Sequence, residues 1–204
     1  GTWTLQCPSG SVEADAVILA CPAPVTAELL SRYHPEIASE IGGIPYASAT
    51  VVSTAFRDAP GPEGFGCLVP PEEGLGIMGT LFSSWVFPSH APEGSFLLRT
   101  MVGGALDPEA DALSDEALVQ RVTRANQQLL GPLPKPSLVR VTRYAQGIPQ
   151  PGLGHKARVA RVREGLASIP GLFLAGNYLG GVGVKDCVRE SSAVAEAVGE
   201  FLAG

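Results

Sequence analysis

Residues 171–202 prescribe a buried strand, a glycine-rich loop and a long amphipathic helix, in that order. Leu172-Phe173-Leu174-Ala175 is a continuous apolar run, the pattern of a short strand covered on both faces. Gly176-Asn177 ends it, and Gly180, Gly181 and Gly183 follow. From Val184, the helical period places Val184, Cys187, Val188, Ser191, Ala195, Val198 and Leu202 on one face, expected to be inward. Lys185, Arg189, Glu196 and Glu200 fall on the other. A helix that opens among glycines offers unpaired backbone N–H groups and the positive end of its dipole to an electron-rich ligand. A phosphate meets that description, and so does the carbonyl edge of a cofactor ring. Plain packing meets it too, with glycines that only let the helix lie close to the sheet.

A chain of 204 residues can bury a real core. Its Gly (25) and Pro (18) lie between periodic segments and read as turns, not disorder. The net charge of −6 excludes general nucleic-acid binding, which needs a concentrated positive field. Cys7, Cys21, Cys67 and Cys187 form no C-x-x-C pair, and His34, His90 and His155 are equally scattered. No metal motif arises from that spacing, and free buried thiols in a reducing compartment are expected. No apolar stretch approaches the ~20 residues of a membrane-spanning helix.

Residues 2–7 and 11–20 suggest a hairpin around Pro8-Ser9-Gly10, the second arm ending in an apolar run at 16–20. A helix is expected over 26–33. Short strands at 50–56, 66–69, 76–82, 96–102 and 138–144, separated by Pro/Gly turns, suggest an antiparallel or mixed sheet. One helix interrupts them. Ser114 is its expected N-cap, Asp115 and Glu116 suit its first turn, and Leu118, Val122, Ala125 and Leu129 form its inward stripe. Gly131 stops it. A further helix spans 155–166, with Val159, Val162 and Leu166 inward. The fold class is α/β of mixed α+β character, with a sheet-bearing segment inserted between two outer segments.

Gly74-Leu75-Gly76-Ile77-Met78-Gly79 matches G-x-G-x-x-G, but neither a strand before it nor a helix after it is indicated, so it reads as a hairpin turn. Gly152-Leu153-Gly154 precedes a helix but follows Ile148-Pro149-Gln150-Pro151, which is not a strand.

Leu174-Ala175-Gly176-Asn177 with Gly181-Val182-Gly183-Val184-Lys185-Asp186-Cys187 resembles the C-terminal FAD signature of the protoporphyrinogen oxidases, within the flavin-containing amine oxidase superfamily. Further similarities follow in the family's order. They are residues 14–22, Phe65-Gly66-Cys67-Leu68-Val69-Pro70, Leu81-Phe82-Ser83-Ser84 with Phe87-Pro88, and Val102-Gly103-Gly104-Ala105. Ile148-Pro149-Gln150 with Gly154-His155 resembles a Pro-Gln-Tyr…Gly-His stretch, with Pro151 in the tyrosine's place.

This resemblance implies part of an FAD/NAD(P)-binding domain over 1–44 and 145–204 enclosing a mixed-sheet substrate domain over 45–144. It implies FAD as cofactor, held by Gly176, Asn177, Gly183 and Val184, and assigns no catalytic residue. Leu68 and Phe87 match positions lining a tetrapyrrole pocket, although core packing also suits Leu68. Asn177 alternatively caps the strand end, His155 caps or packs at a helix start, and Cys187 is a small core residue. The cluster Lys156, Arg158, Arg161 and Arg163 reads as a solvated helix face, or as a contact for substrate propionates or anionic lipid.

The activity implied is oxidation of a porphyrinogen in heme biosynthesis, protoporphyrinogen IX before coproporphyrinogen III, with molecular oxygen as acceptor. A cytoplasmic location with peripheral membrane contact is compatible with it, as is a homodimer of the full-length protein. An amine oxidase or carotenoid desaturase is the alternative within the fold, and a non-catalytic assembly module the alternative outside it. The family's N-terminal strand, glycine loop and helix, which hold the ADP half of FAD, are not matched. A C-terminal fragment that binds FAD weakly by itself is therefore expected.

Overall fold

The computed structural model describes residues 2–204. The elements in order are β1 (Trp3–Cys7), β2 (Gly10–Ala14), β3 (Val17–Leu19), α1 (Ala23–Leu30), α2 (Pro35–Gly42), β4 (Tyr46–Arg57), β5 (Gly66–Leu68), β6 (Gly79–Phe82), α3 (Ser83–Val86), β7 (Ser95–Gly103), α4 (Asp115–Leu130), β8 (Leu138–Pro149), α5 (His155–Ala167), β9 (Leu172–Leu174) and α6 (Val184–Ala203). They divide into two compact units, one running up to Pro45 and resuming at Pro149, the other Tyr46–Ile148.

In the first unit β1 and β2 form the expected hairpin, closing at Cys7↔Gly10. The predicted second arm is broken, however. β3 leaves the hairpin and pairs in parallel with β9, Val17 opposite Leu172 and Leu19 opposite Leu174. Val17, Leu172 and Leu174 are buried, whereas Ile18 is 46% exposed, so β3 is not covered on both faces. Trp3 Nε1 donates to the Pro170 carbonyl (3.2 Å). Gly171, at φ +79°, permits that approach, because a Cβ there would collide with Trp3 and the Asp15 carbonyl.

α1 starts earlier than expected because Pro24 suits the first helical turn. α2, which the sequence reading omits, begins at Pro35 and buries Ile37, Ala38 and Ile41. Its end is clamped to α5. Arg161 grips Glu40 as a fork, Nε to Oε1 at 2.7 Å and Nη2 to Oε2 at 2.9 Å, and Arg158 donates to the Glu40 carbonyl at 2.7 Å. Gly43 leaves room for the Arg158 guanidinium. Arg163 pairs with Glu190 of α6 (3.2 Å). Three of the four cations therefore have intramolecular partners, while Lys156, Arg161 and Arg163 remain exposed, as a solvated helix face requires.

The second unit is a five-stranded sheet of order β5-β6-β7-β4-β8. Thr100 of β7 lies opposite Val52 of β4 and Thr80 of β6. Strand alternation turns Val52, Phe56, Phe96, Leu98 and Val102 inward, and α4 contributes Leu118, Val122 and Ala125. The ends of α4 follow the sequence. Ser114 Oγ accepts from the Ala117 N–H (3.2 Å), and the Gly131 N–H donates to the Gln127 carbonyl at φ +82°. Hydrogen bonds from its own backbone N–H and from Ser114 hold the Glu116 carboxyl below the usual carboxylate range.

Leu129 departs from the expected stripe at 38% exposed, and Asn126 is buried in α4 instead. Thr80 Oγ1 donates to Asn126 Oδ1 (2.7 Å), and Asn126 Nδ2 donates to Thr100 Oγ1 (3.0 Å). This closed network satisfies the polar groups that α4 presses into the sheet. Thr54 Oγ1, also buried, has no partner among the described residues. The Gly74–Gly79 pattern is a turn between β5 and β6, with Gly74 and Gly76 both at φ +66°, and it leads directly into strand β6 and not into a helix. Among the described residues no helix is long and apolar enough to cross a membrane.

Two outcomes are expected. The Arg161 hydrogen bond holds the Glu40 carboxyl below its usual range, so its stabilising effect is present above the unfolded pKa and lost as pH falls through the folded one. Glu40→Gln should be less stable than the parent at neutral pH, with the gap closing in acid; a gap independent of pH in thermal denaturation would contradict the clamp. Thr54→Val should leave stability unchanged or raised, whereas Asn126→Leu should cost about 1–3 kcal/mol in urea denaturation. Equal losses would contradict the network.

Candidate functional site

The loop 175–183 is fixed from both ends. The Ala175 N–H donates to the Leu19 carbonyl (3.0 Å), extending the β3–β9 ladder, and the Leu179 N–H turns back to the Gly176 carbonyl (3.2 Å). Tyr178 is fully buried, and its hydroxyl donates to Thr26 Oγ1 (3.2 Å), tying the loop to α1.

Several glycines have packing reasons. A Cβ at Gly176 would enter the Tyr178 ring, one at Gly180 would meet the Glu190 carboxylate, and one at Gly181 the Asp186 carboxylate. Gly183 is different. Its φ of −78° and ψ of 151° suit any residue, and a Cβ there would press closely only on Asp186 Oδ2, at 3.1 Å. Internal packing alone gives a weak account of glycine at this position. Asn177 is half-buried, and its side chain makes no hydrogen bond among the described residues, so it does not cap the strand.

The start of α6 has no side-chain cap. The N–H groups of Asp186 and Cys187 both reach the Gly183 carbonyl, at 3.0 and 3.1 Å. Those of Val184 and Lys185 have no acceptor among the described residues, as the first turn of a helix dictates. Asp186, in that turn, pairs with Arg189 at 3.0 Å. A carboxylate already sits at the positive end of the dipole, but its ion pair with Arg189 limits its repulsion of a negative ligand, so both ligand classes left open by the sequence fit this donor set.

The rotation of α6 corrects the sequence reading. Its half-buried positions include Cys187, Glu190, Val194, Val198 and Phe201. Val184, Val188 and Leu202 are 82%, 62% and 57% exposed. Phe201 packs edge-on against Phe173 (5.9 Å) and Glu190 holds Arg163, which together set the helix's roll. Cys187 is thus half-buried, not a core thiol. Beside the loop, a groove of about 990 Å³ runs between the start of α5 and residues 179–181, with His155, Lys156 and Glu190 among its walls.

In the second unit Leu68 is 85% exposed and lies on the sheet face away from α4, which rules out core packing. Leu81, Arg99 and Met101 share that face by register. Phe87 ends α3, half exposed, with its ring 4.8 Å from His90, whose Nδ1 lies 2.9 Å from Ser83 Oγ. A cavity of about 550 Å³ beside Leu68 has Pro70, Met78 and Leu106 among its walls. The sequence reading missed Arg99 and Met101. Their signal was the alternation in β7: with Phe96, Leu98, Thr100 and Val102 inward, Leu97, Arg99 and Met101 must face the other way. Among the described residues no His/Cys/Asp/Glu group is arranged to hold a metal.

Comparison with known proteins gives this geometry a family. The model of the flavin containing amine oxidoreductase family matches residues 1–199. Protoporphyrinogen oxidase of Macaca fascicularis is 35% identical over 97% of this chain and 43% of its own length. Coproporphyrinogen III oxidase of Bacillus subtilis is 31% identical over 94% of this chain and 41% of its own. A solved structure from Exiguobacterium sp. 255-15, named “Putative protoporphyrinogen oxidase”, superposes with a TM-score of 0.79 at 29% identity, over all of this chain and 45% of that one. The chain therefore spans about two fifths of the length of these curated relatives. A match running through nearly every residue of both units shows that this chain belongs to the flavin containing amine oxidoreductase family.

Proposed function

We propose that, in the full-length protein, this chain supplies the flavin-facing helix and the substrate sheet of an FAD-dependent oxidase acting on a porphyrinogen, protoporphyrinogen IX in preference to coproporphyrinogen III. The observation that carries this reading is the 35% identity to a protoporphyrinogen oxidase across 97% of the chain. The Bacillus relative, named for coproporphyrinogen III, supports the second substrate at 31% identity.

When bound, FAD supplies the redox chemistry, taking electron pairs from the macrocycle and passing them to molecular oxygen. The N–H groups of Val184 and Lys185 would donate to the N1/C2=O edge of its ring, where negative charge develops on reduction, and Gly183 leaves that approach open. Preorganised donors of this kind stabilise the charge with little reorganisation. Arg189 holds the Asp186 carboxylate in an ion pair, which limits its repulsion of that charge. Gly176 and Asn177 would lie along the ribityl chain or pyrophosphate, with the unpartnered Asn177 amide as a hydrogen-bonding group. Leu68 and Phe87 would meet the macrocycle through apolar and aromatic surface.

Two variants of the full-length protein test the helix mouth. Gly183→Leu should lose bound flavin, whereas Gly199→Ala, where an added Cβ meets nothing within 4 Å, should keep it; stoichiometric flavin in Gly183→Leu would remove Gly183 from the site. Val184→Pro deletes one N–H at the helix position that tolerates proline, behind a Gly183 already in the extended conformation proline requires. It should retain flavin, with a two-electron midpoint potential about 30–60 mV more negative, as expected for one hydrogen bond lost to a charged group. An unchanged potential would exclude that N–H from the reduced ring.

A further inference from the structure

The five strands of the second unit contain no Asp or Glu, in a chain that carries 20 of them and a net charge of −6. The same strands carry Arg57, Arg99, Arg140 and Arg143. Arg143 serves the α4 side, donating to Asp115 (2.8 Å) and to the Leu113 carbonyl (2.6 Å). Arg99 does not. It is exposed, it points away from α4, and it forms no ion pair among the described residues. Strand propensity explains the scarcity of acidic residues, but it does not explain a guanidinium without a counter-ion among apolar neighbours.

Register defines those neighbours. One rung across the sheet reads Gly66, Leu81, Arg99, Ser53, and the next on the same face reads Leu68, Gly79, Met101, Val51. Leu81 and Ser53 thus flank Arg99 on the adjoining strands, with Leu97 and Met101 two residues to either side. Gly66 and Gly79 are needed because a Cβ at either would strike the carbonyl of Thr80 or Cys67 across the β5–β6 pair. A consequence is that Leu68, Leu81 and Met101 stand around side-chain-free positions, forming a shallow apolar floor. Strands about 4.8 Å apart and same-face residues about 6.7 Å apart set Leu68 and Arg99 on the order of 12 Å from each other.

We propose that Arg99 is a specificity residue of this sheet, anchoring a carboxylate side chain of a flat tetrapyrrole whose ring lies on Leu68, Leu81 and Met101. The proposal rests on the porphyrinogen reading given above. An apolar ring with acidic arms matches a floor that is apolar, free of acidic residues and edged by an unpaired cation. The guanidinium fork suits a carboxylate in particular.

The test uses the full-length protein and its Arg99→Leu and Arg99→Lys variants, with protoporphyrinogen IX, its dimethyl ester, and protoporphyrin IX as a binding probe. Arg99→Leu should raise KM for the free acid about tenfold, the size of one lost charge-assisted contact, with little change in kcat. It should leave KM for the ester unaltered, and Arg99→Lys should recover part of the loss. Equal KM values for the acid in parent and Arg99→Leu would overturn the anchor. Fluorescence titration with protoporphyrin IX separates the two readings. Should the parent bind the dye about tenfold tighter than Arg99→Leu and turn over no porphyrinogen, the oxidase reading falls and the anchor stands. Equal affinities, or no binding by the parent, would overturn the anchor whatever the activity.

Discussion

The parallel pairing of Val17–Leu19 with Leu172–Leu174 is the contact on which the rest of the candidate cofactor site depends. It joins segments from opposite ends of the chain, and every residue between them must leave and return across that short ladder. Once made, it fixes where β9 ends and hence where the glycine loop begins. The Ala175 N–H adds one more rung, and Tyr178 then pins the loop to α1 through Thr26. Burying Tyr178 completely removes a large side chain from water while its hydroxyl keeps a partner, so the anchor costs no unsatisfied polar group. α6 emerges from a loop whose backbone is held by packing, and its first N–H groups stay unpaired because no side chain caps them.

A few nonlocal charges fix the remaining elements of this unit. The fork from Arg161 to Glu40 locks α5 to the end of α2, and Arg163 reaches Glu190 on α6. Exposed pairs of this kind contribute little stability each. Their larger effect is on orientation, since Glu190, with the Phe201–Phe173 contact, decides which face of α6 turns inward. The second unit is built on another principle. Its sheet buries one face under α4 through strand alternation and a closed Thr80–Asn126–Thr100 network, and leaves the opposite face open around Arg99.

Much of this was legible in the sequence wherever the determining contacts are local. Both ends of α4 could be read, because Ser114 and Gly131 act within one helix, although Leu129 left the expected stripe and Asn126 was buried in its place. The sheet strands were legible from their alternation, although β4 and β8 ran longer than their apolar cores suggested. The Gly171–Val184 succession correctly announced strand, loop and helix. Reading failed where distant residues decide. The partner of Arg161 is Glu40, far away in sequence, so the clamp formed on this solvated face could not be read locally. Val184 and Val188 looked inward because they are apolar, whereas tethers at Glu190 and Phe201 rotate them outward. Arg99 was overlooked although β7's alternation already contained its orientation. What was missing was the knowledge that α4 covers only one side.

Two amide hydrogens at the mouth of α6 carry the proposed flavin-facing role, and a crystal structure of the full-length, flavin-bound protein shows their partners directly. The flavin-facing role of α6 requires the backbone nitrogen of Val184 or Lys185 within about 3.2 Å of the flavin N1 or C2=O oxygen, with no side chain at Gly183 between them. A structure in which those nitrogens donate to protein or solvent, with the isoalloxazine elsewhere, would contradict it.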